Sequence, residues 1–71
     1  MICPVCGQGL LFEALIKKLR TKIVICDECD AIWMENTKMT FNNHLNFTTF
    51  MEKHGLKGHW SNLILDRNSP M

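Results

Sequence analysis

The chain has 71 residues, so it makes one domain at most, and a domain this short buries only ~60% of the surface its unfolded form exposes. It is 46% hydrophobic and 21% charged with a formal net charge of +1, which excludes a disordered chain and a dedicated polyanion binder. No apolar run approaches the ~20 residues that cross a bilayer, and MICPVCGQG lacks the basic start and apolar stretch of a secretory signal, so a cytoplasmic protein is expected.

CPVCG (3–7) is the first of two CxxC units. In such a knuckle both sulfurs face one concavity, and backbone amides after the first cysteine donate to them. The turn after the second cysteine favours a residue that tolerates positive φ, which Gly7 supplies. LLFEALIKKLRTKIVIC (10–26) admits two readings. ALIKKL contains good helix formers. Against that, Phe12, Ala14 and Ile16 alternate with Glu13 and Lys17, and Ile23, Val24 and Ile25 form a β-branched run. The hairpin is preferred, because a returning strand brings Cys26 back beside Cys3 and a straight helix carries it away. Lys17, Lys18, Arg20 and Lys22 then surround the turn. CDECD (26–30) is the second knuckle, with Asp30 as the residue that tolerates positive φ there, and AIWM (31–34) reads as a third short strand.

From Glu35 to Met71 the chain is richer in Asn, Thr and His. NFTTFMEKHGL (46–56) predicts a short helix. Asn46 is its N-cap, Phe47, Phe50, Met51 and His54 share one face, and Gly55 ends it. That apolar face is expected to lie across the hairpin. HWSNLILD (59–66) predicts a strand with Trp60 and the Leu63 to Leu65 run in the core, and the RNSPM tail (67–71) is expected to fray. The expected fold is a small metal-stabilised β-rich (α+β) domain, antiparallel strands with one short helix near 46–55. It forms a single domain over 1–71, in which 35–71 packs as a C-terminal extension on 1–34.

The cysteines are spaced C-x2-C-x19-C-x2-C, within the range that reads as a zinc site. Two knuckles brought together supply four sulfurs at ~2.3 Å, the tetrahedral set zinc prefers. Disulfides seldom persist in the cytoplasm, and a thioredoxin-like redox pair needs a larger βα fold. Catalytic zinc keeps an open fourth position, which four cysteines close. Cys3, Cys6, Cys26 and Cys29 therefore read as ligands of one structural zinc ion, with iron in the same ligands as the alternative. Zinc is then a folding requirement, since ~10–16 kcal/mol of binding exceeds what so small a core offers.

CPVCGQG followed by a hairpin and CDECDAIW resembles a zinc ribbon, over residues 1–34. That superfamily comprises small β-sheet modules of transcription, translation and adaptor proteins. The resemblance implies a structural zinc and leaves function open. CPVCG alone also resembles a rubredoxin iron knuckle, but CDECD lacks the Pro and Gly of that family and the intervening loop is short for it. The whole pattern is similar to small bacterial zinc-ribbon proteins encoded beside contact-dependent or other polymorphic toxin genes. That likeness implies an immunity protein whose partner is a toxin domain.

Outside the cysteines, Lys17, Lys18, Arg20 and Lys22 form a candidate partner-binding tip, able to grip phosphates or simply to solvate a turn. Asp27, Glu28 and Asp30 crowd the second knuckle, next to a four-thiolate site that itself carries about two negative charges. The resulting dipolar molecule suits a protein partner better than a duplex. His44, His54 and His59 have no carboxylate, Ser or Cys at nucleophile-and-base spacing, so they read as helix-end and loop residues and no catalytic residue is expected. Trp33 and Trp60 read as core. Phe41, Phe47 and Phe50 lie in a segment short of basic residues, against a stacking platform for single strands. The expected function is a non-enzymatic zinc-binding protein-interaction module, an adaptor or a toxin-neutralising immunity protein. The alternative is a nucleic-acid-binding ribbon acting through the basic tip. No membrane partner is expected.

Overall fold

The computed structural model describes residues 2–65. Its centre is the hairpin of β1 (Leu11–Ile16) and β2 (Thr21–Cys26), in a register that runs from Leu11↔Cys26 to Ile16↔Thr21. Strand wins over helix because the alternation is real: Ala14 and Ile16 of β1, with Ile23 opposite Ala14 and Ile25 opposite Phe12, are all buried on one face. Residues 17–20 connect the strands. Without a glycine there, Arg20 takes the left-handed position at φ 51°.

β3 (Ala31–Met34) pairs β2 from Ile23↔Met34 to Ile25↔Ile32. Two short strands then extend the sheet at its edges. β4 (Leu45–Asn46) adds to β3, and β5 (Leu63–Leu65) adds to β1. The order is β4-β3-β2-β1-β5, with every pairing antiparallel.

One face of the sheet is covered by α1 (Phe47–Lys53). Its start is as the sequence predicts: Asn46 caps it, the Thr49 amide donating to Asn46 Oδ1 at 2.9 Å, and Gly55 follows its end at φ 72°. Phe47 and Met51 are fully buried against Ala14, Ile16, Ile23, Ile25, Ile32 and Leu63. Side chains of this kind contribute about 1.5–3 kcal/mol each when fully removed from water. Phe50 is half-buried, and the exposed His54 ring packs on it at 4.6 Å between centroids.

The opposite face holds a second cluster of Leu11, Cys26, Ala31, Trp33 and Cys3. Trp33 is fully buried there, and its Nε1–H donates to the Thr40 carbonyl at 2.9 Å. That bond folds the loop after β3 back over the indole, leading into a short 3-10 turn at Phe41–Asn43. Phe41 itself is exposed.

The strand expected from His59 is shorter than its sequence suggests. Trp60–Asn62 form a 3-10 turn, and Trp60 sits on its outside, 38% exposed instead of in the core. The Asn62 side chain explains this local choice. It donates to the Lys57 carbonyl at 2.9 Å while the Asn62 amide donates to His59 O, closing a turn where an extended strand would continue. The Lys17 amide then donates to Asn62 O at 3.0 Å and sets the entry to β5. Of the Leu63 to Leu65 run only Leu63 is buried, because the pleat sends Ile64 to the other face and Leu65 lies toward the open edge. Asp66 and the RNSPM tail lie outside the described residues. Among those described, no helix is long and apolar enough to cross a membrane.

Candidate metal centre

The first knuckle is built by backbone hydrogen bonds across the CPVCGQG turn. The Cys3 amide donates to Gly9 O at 2.8 Å, and the Gly7 amide donates to Cys3 O at 2.9 Å. Ile2 and Leu10 bridge beyond them. Gly7 takes φ 71°, the left-handed turn its position requires. Gly9 serves a different need. It is buried, and a Cβ there would overlap Cys26 Sγ and lie 2.9 Å from Glu28 Cβ. The glycine lets the two knuckles close on each other.

The second knuckle starts where β2 ends. The Asp27 amide donates to Leu10 O at 3.1 Å and the Leu10 amide donates to Asp27 Oδ1 at 2.9 Å, which ties the knuckles together. Asp30 does not take the positive φ expected of it; Arg20 and Asn36 are the non-glycine residues that do, among those described. The chain leaves Cys29 directly into β3, so extended backbone replaces a reversing turn. Asp30 instead anchors α1. Its carbonyl accepts from the Phe47 amide at 2.7 Å, and its Oδ2 accepts from Thr48 Oγ1 at 3.0 Å.

These contacts bring all four sulfurs within 4.8 Å of one another. Cys3 Sγ lies 3.8 Å from Cys29 Sγ, and Cys6 Sγ lies 3.7 Å from Cys26 Sγ. A disulfide needs about 2.05 Å. A tetrahedron of sulfurs at ~2.3 Å from a central ion has edges of about 3.8 Å, which matches both pairs. Four backbone amide contacts face the sulfurs: Val5 N to Cys3 (3.3 Å), Gly9 N to Cys6 (3.3 Å), and Glu28 and Cys29 N to Cys26 (3.4 and 3.5 Å). Soft donors at tetrahedral spacing, with amides to spread thiolate charge, form a group that can hold one metal ion.

The protons show why a cation belongs there. The Gln8 and Gly9 amides hold the Cys6 thiol down at about 7. Burial pushes Cys26 up, against the Cys29 and Glu28 amides, and it pushes Cys29 up to about 12. Backbone dipoles thus favour the thiolate at Cys6, while burial favours the thiol at Cys26 and Cys29. A divalent cation would compensate the charge of thiolates held there.

The charged residues are kept apart. Lys17, Lys18 and Arg20 are exposed in the β1–β2 turn and Lys22 is exposed on β2, with Lys17 Nζ donating to Ser61 O at 3.0 Å. Asp27, Glu28 and Asp30 are exposed at the other end of the hairpin, about 17 Å away by strand rise. Two of these carboxylates already serve the fold, Asp27 at Leu10 and Asp30 at Thr48. The three histidines do not converge. His44 packs edge-on against Phe41 at 5.1 Å, His54 packs on Phe50, and His59 is exposed. Among the described residues, the four cysteines are the one group of metal-ligating side chains brought together. Gly9 and the Asp30 anchor escape sequence reasoning. The second glycine of GQG is the only local signal for the first, and nothing local announces the second.

No protein-family model, curated protein or solved structure matches the chain.

Proposed function

We infer that the protein is a non-enzymatic interaction module whose four cysteines hold one structural zinc ion. The observation that carries this reading is the closed shell of sulfurs at the edge lengths of a zinc–thiolate tetrahedron. All four positions belong to protein ligands, so no site is reserved for substrate or water. Zinc also fits the zinc-ribbon resemblance of residues 1–34. By the same resemblance the partner is a toxin domain that this chain neutralises, or the client of an adaptor. Purification of the chain together with the product of the gene upstream tests this: a stoichiometric complex that blocks the partner's activity supports it, and failure to associate contradicts it.

A second reading rests on the exposure of Lys17, Lys18, Arg20 and Lys22 at the end of the hairpin far from the thiolates. If that tip binds nucleic acid, affinity falls steeply with salt and collapses when these four residues are replaced by Glu. Salt-insensitive or absent binding removes this reading.

A further inference from the structure

The sheet is covered unequally. α1 seals one face, whereas on the other the knuckles, Trp33 and the loop over it cover only the half nearest the cysteines. The half nearest the turn is a groove of about 310 Å³, with Leu15, Val24 and Ile64 as its apolar lining and Glu13, Lys22 and Glu35 among them. Ile64 is 53% exposed there and belongs to β5, the outermost strand on that side. An apolar row that includes Ile64 and Leu15 on adjacent strands is poor solvent-facing surface.

The charges decide what fits. Arg20 and Lys22 line the turn end of this face, with Glu35, just past the end of β3, donating its amide to Lys22 O. Glu13 lies one step closer to the knuckles, opposite Val24. A partner of a single sign meets repulsion at one end of the groove. A second copy turned end for end presents the same charges in reverse order, bringing Arg20 and Lys22 of each chain toward Glu13 of the other. Parallel stacking would set like charges together.

We propose that this open half-face binds a second copy of the chain, forming a two-fold dimer in which the two sheets pack with antiparallel strand directions. The contact is isologous, so each favourable pair occurs twice. It removes Leu15, Val24 and Ile64 from water, a gain that matters in a chain too small to bury much on its own. The proposal does not depend on the heterologous partner inferred above; either can fail with the other intact.

Sedimentation velocity on the metal-loaded full chain, over about a hundredfold range of concentration, tests it. Twice the chain mass at the upper end is expected, with dissociation on dilution and weakening at high salt. Ile64→Glu places a carboxylate in the contact without touching the core, and raises the dimer dissociation constant at least about 100-fold. Lys22→Glu raises it about tenfold, and Lys22→Glu combined with Glu13→Lys restores it, because the swapped pair is again complementary across the two-fold. A chain mass at every concentration overturns the proposal, including when a different protein is found covering this face. A dimer that Ile64→Glu leaves unchanged overturns it equally.

Discussion

Gly7 and Gly9 stand two residues apart in the first knuckle, yet a methyl group at each meets a different obstacle. At Gly7 nothing crowds the added Cβ, and the cost is conformational, from φ 71°. Gly7→Ala is expected to lower stability by about 1 kcal/mol. At Gly9 the Cβ overlaps Cys26 Sγ and presses on Glu28, so the knuckles must separate. Gly9→Ala is expected to cost about 2–4 kcal/mol and to lower metal affinity. Denaturant unfolding of the metal-loaded variants distinguishes them, and equal losses would contradict the close approach. The thiols set the response to pH. Metal ligation requires thiolates, whereas free cysteines of an unfolded chain ordinarily titrate near ~8.5. The loaded fold thus binds fewer protons than the unfolded chain, so its stability rises with pH toward that range and is lost as pH falls. Thermal unfolding of the metal-loaded chain between about pH 5 and pH 8 should show the midpoint falling steeply on acidification, and a midpoint that does not move with pH would contradict this account.

At the scale of elements, α1 is coupled to the metal centre through one residue. Asp30 ends the second knuckle and takes both the Phe47 amide and the Thr48 hydroxyl of the helix start. Asp30→Ala removes the side-chain half of that anchor and Asn46→Ala removes the cap; each is expected to cost about 1 kcal/mol. Hydrogen exchange should quicken in α1 and leave β1 and β2 nearly unchanged, with metal content intact. Uniform acceleration through the sheet would contradict a local anchor. The elements also differ in how far local pattern announces them. The β1–β2 hairpin is legible because Phe12, Ala14 and Ile16 alternate around Glu13 and before Lys17 and because Ile23 to Ile25 is β-branched, and α1 because its cap, period and terminal glycine agree. β4 is two residues long and exists only because the edge of β3 is there to pair with. Trp60 reads as core because an indole stands next to an apolar run, while the Asn62 hydrogen bonds that turn the chain outward carry no periodic signal.

Across the whole molecule, two of the four candidate ligands are themselves core residues, and Cys6 and Cys29 pack half-buried against them. Cys3 and Cys26 are each 1% exposed and share a cluster with Leu11, Ala31 and Trp33. The site was readable from spacing alone because each CxxC unit is a local structure, and the hairpin between them needs only to return. Its consequence for the second half of the chain was not readable, since Asp30 and Trp33 meet residues from after β3 only in the fold. Removing the ion therefore does more than free the knuckles. Metal loss is expected to detach residues 2–10 from the sheet end and to loosen the start of α1, since both are tied to the knuckles. A core of this size offers a few kcal/mol against the ~10–16 kcal/mol of a structural zinc site, so the metal-free chain should not hold the sheet. Native mass spectrometry before and after chelation, with circular dichroism on the same samples, tests this most directly. One zinc ion per chain with all four thiols protected, and loss of the β-sheet signal when the ion is removed, is the predicted result. A metal-free chain with reactive thiols and an intact sheet would contradict it.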